Sequence, residues 1–164
     1  MVFLRDEDPV PVRRPAGADP APEPGDARDA LPRARLEGAL QALLEGPSPE
    51  EVEAGLVSML PSIPPDAEPP DADPPASQPR VLLAAVEVRE GLATVSLSGL
   101  REAAPNASSS AGSRALLLQL NGTAFAVEGV ERVRWELDGS CEAFWAFLQR
   151  SCQVVERDDA RSVP

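Results

Sequence analysis

Most of the nineteen prolines of this 164-residue chain lie in two regions, and they limit how much of it can fold. The regions run from Pro9 to Pro32 and from Pro61 to Pro79, and both contain few large apolar residues. Ordering them would cost conformational entropy with little burial to offset it, so we expect extended or disordered loops at residues 15–31 and 61–79. About 100 to 115 residues remain for a core, the size of one small domain.

Acidic residues are concentrated in the same parts of the chain. Residues 6–30 hold seven acids and three arginines, and residues 61–79 hold four acids and no base, so they supply −8 of the net charge of −12. The rest of the chain is only mildly acidic. Because binding to phosphates needs clustered basic side chains, we expect no nucleic-acid partner and no binding to anionic lipid through a basic patch.

The first half of the chain predicts two strands followed by two helices. The stretch "VFLRDEDPVPVRRP" indicates a strand at residues 2–5 and, after a turn, an edge strand around residues 10–13. In "PRARLEGALQALLEG" leucines recur at helical spacing, with Pro32 in the first turn and Gly46 at the end. "SPEE" predicts a capping box of Ser48 and Glu51 that begins a short helix over residues 49–55.

The second half predicts a hairpin, a helix, a strand and a last helix. "VEVREGLATVSLSG" alternates apolar and polar residues around a turn at Glu90 and Gly91, a strong hairpin pattern. Helical spacing covers residues 113–127, alternation returns in "ERVRWELDG", and "SCEAFWAFLQRSC" begins with a Ser140 cap. The order predicts an α+β fold, a small two-layer sandwich with helices on one face of a mixed or antiparallel sheet.

Histidine and lysine are both absent, which removes most catalytic chemistry. Without imidazole no Ser-His-Asp, Cys-His or HExxH site can form, and without lysine neither a Schiff base nor a Walker A loop is possible. Only carboxylate chemistry remains. Its candidates, at residues 6–8 and 50–53, are explained by turn solvation and helix capping, so we expect no catalytic, cofactor-binding or metal-binding residue.

Two cysteines, Cys141 and Cys152, enclose ten residues. One continuous helix between them would hold their Cα atoms roughly 16 Å apart, too far for a disulfide. A bridge requires the chain to turn back before Cys152. The alternative is two free thiols packed as small hydrophobes.

The aromatic residues Phe144, Trp145 and Phe147 form the most apolar local cluster. A helix packed into the core explains them. If Trp145 lies exposed on the opposite helix face, these three residues are a candidate interaction surface.

Four segments, in chain order, resemble the GerMN domain of bacterial sporulation and spore germination proteins. They are "VFLRDEDPVPVRRP", "ARLEGALQALLEGPSPEEVEAGLVSMLP", "VEVREGLATVSLSG" and "LQLNGTAFAVEGVERVRWELDG". On this resemblance residues 1–139 form a GerMN-like domain, residues 140–155 a C-terminal helical extension of it, and residues 156–164 a frayed tail. The chain departs from the family pattern in the acidic insertion at residues 61–79 and after Gly139.

The resemblance implies an extracytoplasmic module with a fold similar to the ring-building motifs that assemble envelope channels, often on a lipoprotein or behind one membrane anchor. The chain has no signal peptide and no run of 18 apolar residues, so any membrane link is expected through an N-terminal anchor that Met1 replaces. Export also favours a bridge between Cys141 and Cys152.

The expected function is protein–protein interaction or assembly in the bacterial cell envelope, related to sporulation or germination, with envelope proteins or a second copy as partners and no cofactor. The alternative is a module that binds cell-wall or carbohydrate ligands in a cleft lined by Trp135 or Trp145. A carboxylate hydrolase is the third class, and it requires two carboxylates about 5 to 10 Å apart in one cleft.

Overall fold

The computed structural model describes residues 1–6, 8–13, 27–60 and 79–159. Residues 15–26 and 61–78 of the predicted Pro-rich loops, and residues 160–164 of the predicted tail, lie outside the described residues. Within the described residues, five α-helices and six strands follow one another as β1 Val2–Arg5, β2 Asp8–Pro11, α1 Ala27–Glu45, α2 Pro49–Glu53, β3 Leu82–Arg89, β4 Leu92–Ser98, α3 Leu100–Ala103, α4 Ser110–Phe125, β5 Arg132–Leu137, α5 Cys141–Phe147 and β6 Val154–Glu156. A 3-10 helix at Pro105–Ser108 lies between α3 and α4.

The main sheet is mixed and has the strand order β3-β4-β5-β6. The hairpin of β3 and β4 is antiparallel, β4 and β5 are parallel, and β6 runs antiparallel to β5. Alternate side chains of the two central strands lie side by side and are buried, as the sequence alternation predicts: Ala93, Val95, Leu97, Val133, Trp135 and Leu137. Their neighbours on the outer face, such as Thr94 and Arg134, are half-exposed.

Helices α1, α4 and α5 pack around the buried face of this sheet. α1 packs on β3 and α5 packs on β5, while α4 packs against α1 and β1. Leu36, Leu40 and Leu43 of α1 are each at most 1% exposed, because their spacing places them on one helix face. The predicted α+β class is confirmed.

β1 and β2 form a separate two-stranded sheet that α4 holds through the backbone of Val2. The Val2 N–H donates to Thr123 Oγ1 at 2.9 Å, and Gln119 Nε2 donates to the Val2 carbonyl at 3.4 Å. Gly122 lies against the same strand, where a Cβ atom would be 2.9 Å from Val2 Cγ2. Residues four apart share a helix face, so Gln119 and Thr123 reach both polar groups of Val2 while Gly122 permits the close approach.

Two further buried polar contacts start from the same helix. Gln119 Oε1 accepts a hydrogen bond from the Met59 N–H at 2.6 Å, and Asn121 Oδ1 accepts one from Trp135 Nε1 at 2.8 Å. Gln119, Asn121 and Thr123 are at most 2% exposed. Because buried polar groups are costly without partners, these contacts fix where β1, residue 59 and β5 lie relative to α4.

Several predicted boundaries are wrong. α1 begins at Ala27, so the predicted loop at residues 15–31 is too long and Pro32 lies inside the helix. The added first turn contains Asp29, an acid where the helix dipole favours negative charge. α4 begins at Ser110 rather than at residue 113, because Ser109 caps it by accepting from the Gly112 N–H. β2 covers residues 8–11 rather than 10–13.

Replacing Thr123 by Val removes the acceptor of the buried Val2 N–H while nearly preserving side-chain shape. We expect the free energy of unfolding to fall by about 1 to 3 kcal/mol, because the donor would be left unsatisfied. Thr94→Val is the matched control, because Thr94 is half-exposed and water can replace the hydrogen bonds of its hydroxyl. This substitution should change the free energy of unfolding by less than about 0.5 kcal/mol. Urea unfolding measures both, and equal losses would contradict the role of Thr123.

Candidate interaction site

The aromatic cluster predicted as an interaction surface lies mostly in the core. Phe144 and Trp145 are both 0% exposed, and Phe147 is half-buried beneath the Arg101 guanidinium, 5.8 Å from its ring centre. Phe144 stacks on Trp135 with ring centroids 6.2 Å apart and meets the Trp145 ring edge-on at 5.5 Å. Phe144 and Trp145 therefore belong to the core, as the core-helix interpretation expects, and they do not form the candidate interaction surface, which required an exposed Trp145.

The tryptophan cleft that a carbohydrate-binding module would need is also not formed. Trp135 and Trp145 are both 0% exposed, and the indole N–H of Trp135 is used by Asn121. Neither ring can therefore stack on a sugar without opening the core.

Among the described residues, β3 is the longer of the two strands at the ends of the main sheet. β3 is the first strand of the main sheet, and no strand of the described residues pairs with its outer side. Ala85–Arg89 pair regularly with β4, whereas a bulge between Leu83 and Ala85 interrupts the ladder before them. An unpaired strand edge presents N–H and C=O groups that can bind another strand. We call the outer edge of Leu82–Arg89 the β3 edge.

The exposed side chains along the β3 edge are apolar, small or charged. Leu82 is 58% exposed, Ala84 and Ala85 are small and exposed, and Glu87 and Arg89 carry opposite charges. The Arg89 Nη2 and Glu87 Oε2 atoms are 3.5 Å apart in an exposed ion pair. Such a pair contributes little to stability, so both charges can reorient toward a partner at low cost.

An open cleft of about 620 Å³ lies where the end of α4 meets β5 and β6. Its charged lining consists of Glu128, Glu131, Arg132, Glu156, Arg157 and Asp158. Glu156 and Asp158 of this lining belong to the segment predicted as a frayed tail, so the sequence does not indicate a cleft here. The acids predicted as candidates for carboxylate chemistry lie elsewhere: Asp6 is in the β1–β2 turn, and Glu51 completes the predicted capping box with Ser48.

Arg157 fastens the C-terminal strand to the end of α4. Its guanidinium donates to the carbonyl oxygens of Phe125 at 2.7 Å and Val127 at 3.1 Å, and twice to that of Val130. Phe125 ends α4, and Val127 and Val130 lie in the turn after it, where backbone acceptors lack helical partners and a cation is favoured. The predicted frayed tail therefore starts too early, since Glu156 ends β6 and Arg157 is fixed.

A disulfide joins Cys141 and Cys152, whose Cα atoms are 5.4 Å apart. The chain makes the required reversal after α5, where Gln149 has φ 59° and the Arg150 N–H donates to the Trp145 carbonyl at 2.8 Å. The bridge ties the first residue of α5 to the segment that leads into β6. The C-terminal extension is thus a helix and a strand, not a helix alone.

Comparison with protein families now identifies the domain. A family model named Germane, described as sporulation and spore germination, matches residues 2–141. The chain belongs to the Germane family. The match runs from β1 to the first residue of α5 and confirms the resemblance to the GerMN domain. β6 and Arg157 of this Germane domain lie beyond the matched residues.

Other comparisons are weaker. A crystal structure of a protein from Clostridium perfringens, assigned as a lipoprotein, is similar with a TM-score of 0.48 and 16% identity, covering 78% of this chain and 70% of that one. A comparison with curated proteins gives no significant match. Among the described residues, no helix of this Germane domain has the length and apolar character to cross a membrane.

Arg157→Ala should destabilise the Germane domain by about 2 kcal/mol, because three carbonyl oxygens lose a charged donor. Arg157→Lys keeps the charge but not the planar fork, so its stability should fall between the two. Arg114→Ala, an exposed arginine on α4, is the control and should change stability by less than about 0.5 kcal/mol. Thermal and urea unfolding measure the stability of each variant. An Arg157→Ala variant as stable as the control would refute the stabilising role of Arg157.

Proposed function

We propose that this Germane domain is a non-enzymatic protein–protein interaction module of the bacterial cell envelope, and that it docks partners at the β3 edge. The family description supports a role connected with sporulation or germination. The observation that carries the proposal is the β3 edge itself, an eight-residue strand without a neighbouring strand among the described residues. The partner is an envelope protein or a second copy of this chain.

The β3 edge combines the two elements of strand-addition binding. Backbone N–H and C=O groups along Ala85–Arg89 would supply main-chain hydrogen bonds to an extended partner segment. The exposed Leu82 offers an apolar contact, and Glu87 and Arg89 select a partner with charges in the opposite order. The small side chain of Ala85 allows the partner backbone to approach closely.

The composition and the cleft support a non-enzymatic role. No histidine or lysine is available for proton transfer or covalent catalysis. The carboxylates that line the cleft belong to residues at exposed positions, where water solvates them, and the Arg157 guanidinium there is already engaged by backbone carbonyls. These observations favour a solvated charged rim over a catalytic carboxylate pair.

The disulfide supports placement outside the cytoplasm. Structural disulfides persist in oxidising compartments and are rare in reducing ones. We further propose that an N-terminal anchor is the membrane link, so that the domain itself contacts protein partners rather than lipid.

A photo-crosslinking amino acid at Ala85, introduced in the native host, tests the β3 edge directly. We expect a discrete crosslinked partner from Ala85 and none from Val52, an exposed position on α2 that serves as the control. Leu82→Lys should reduce that crosslink at least about tenfold, because a charge on an edge opposes strand addition. Val52→Lys, at 55% exposure against 58% for Leu82, is the matched substitution and should leave it unchanged.

Light scattering across protein concentrations separates the two kinds of partner. Self-association that Leu82→Lys abolishes would identify a second copy, whereas a monomer with a strong Ala85 crosslink would identify a different protein. Equal crosslinking from Ala85 and Val52, with a monomer at all concentrations, would refute docking at the β3 edge. Turnover of a substrate that one carboxylate substitution abolishes would refute the non-enzymatic proposal.

A further inference from the structure

We infer that the Cys141–Cys152 disulfide is a redox latch: it holds the C-terminal strap, residues 149–159, on the sheet, and its reduction by a dithiol releases the strap while the rest of the domain stays folded. The inference is independent of docking at the β3 edge.

The strap buries little apolar surface, and beside the bridge and Arg157 it is held by backbone hydrogen bonds and by Gln149 Nε2, which donates to the Ser108 carbonyl at 2.9 Å. β6 contains three residues and pairs with β5 alone, at Arg132–Arg134. Val154 is 45% exposed, and only Val155 of this strand packs partly on the core. Segments with little buried apolar surface and exposed backbone hydrogen bonds open locally at low free-energy cost.

The disulfide ties this weakly packed segment to Cys141, which lies in a rigid part of the fold. Cys141 is 1% exposed and is the first residue of α5, the helix that packs against β5. Cys152 lies two residues before β6, so its link to Cys141 keeps β6 close to the edge of β5. Arg157 restrains the other end of the strap through the carbonyls beyond α4. Once the bridge is broken, the Arg157 hydrogen bonds and the short β5–β6 pairing are the restraints left on β6, and both are lost whenever the strap opens.

The two sulfur atoms differ in their access to a reductant. Cys152 is exposed whereas Cys141 is buried. A dithiol reductant would attack the Cys152 sulfur as a thiolate, forming a mixed disulfide and displacing Cys141 as a thiolate that then takes up a proton. The second thiol of the reductant then closes its own disulfide and releases Cys152. The reductant loses two electrons and two protons, and the protein gains them as two thiols.

Release of the strap would change the sheet at the end opposite to β3. β5 would lose its neighbour along Arg132–Arg134 and become an open edge. The carbonyls of Phe125, Val127 and Val130 would lose their cation. The core would persist, because its largest side chains, Trp135, Trp145, Phe3 and Phe144, all lie outside the strap.

Hydrogen exchange with and without dithiothreitol, followed by mass spectrometry, tests the latch. The untreated chain should be two hydrogens lighter than the reduced chain. On reduction, backbone amides of residues 154–157 should exchange about a hundredfold faster, the effect expected for opening a loop of this length. Peptides from β4 and α4 should exchange as before, and the near-ultraviolet signal of the buried tryptophans should persist. Trypsin should then cleave after Arg150 and Arg157, which the latched strap protects.

The double variant Cys141→Ser with Cys152→Ser is the control for the reductant. Its strap should exchange fast whether or not dithiothreitol is present. Unchanged exchange of the strap on reduction would overturn the latch. Simultaneous loss of protection in α4 and of the tryptophan signal would overturn it too, because the bridge would then stabilise the whole domain rather than the strap.

Discussion

The buried polar side chains of α4 determine how the parts of this domain are arranged. An apolar helix could slide or rotate against its neighbours, because hydrophobic contact has no direction. Thr123 instead accepts a hydrogen bond from the Val2 N–H, and Gln119 donates one to the Val2 carbonyl. Asn121 accepts a third from the indole N–H of Trp135. Each bond fails if the helix rotates, leaving a buried polar group without a partner. One helix thus fixes both the N-terminal strand and the central strand of the main sheet.

Local patterns predicted most of the elements, though not α3 or β6, and they predicted none of these contacts. The alternation in "VEVREGLATVSLSG" and "ERVRWELDG" predicted which residues of β4 and β5 face the core, because strand periodicity is a property of neighbouring residues. Gln119 and Thr123 looked like ordinary polar positions of a helix, and their partner Val2 is more than a hundred residues away. Arg157 was assigned to a tail for the same reason, since its partners belong to the end of α4.

The aromatic cluster shows the limit of reading one helix in isolation. A short helix with adjacent Phe144 and Trp145 cannot direct both toward one side, so its sequence suggested one buried and one exposed face. The reversal of the chain after Phe147, which the disulfide requires, brings residues 149–152 back past the helix. The Arg150 N–H bonds the Trp145 carbonyl there. The disulfide and this hydrogen bond therefore depend on one reversal of the chain, which the residues of α5 alone do not reveal.

The two edges of the main sheet solve the problem of unpaired backbone differently. At one edge, β3 is long but carries a bulge and two charges, which are devices that discourage indiscriminate pairing without preventing a specific partner. At the other edge, three residues of β6 cover β5, and their hold depends on a covalent bond and one arginine. A short strand buries too little surface to protect an edge unaided. Cys152 and Arg157 lie on either side of β6, five positions apart along the chain. Their two attachments hold this short strand at both of its ends.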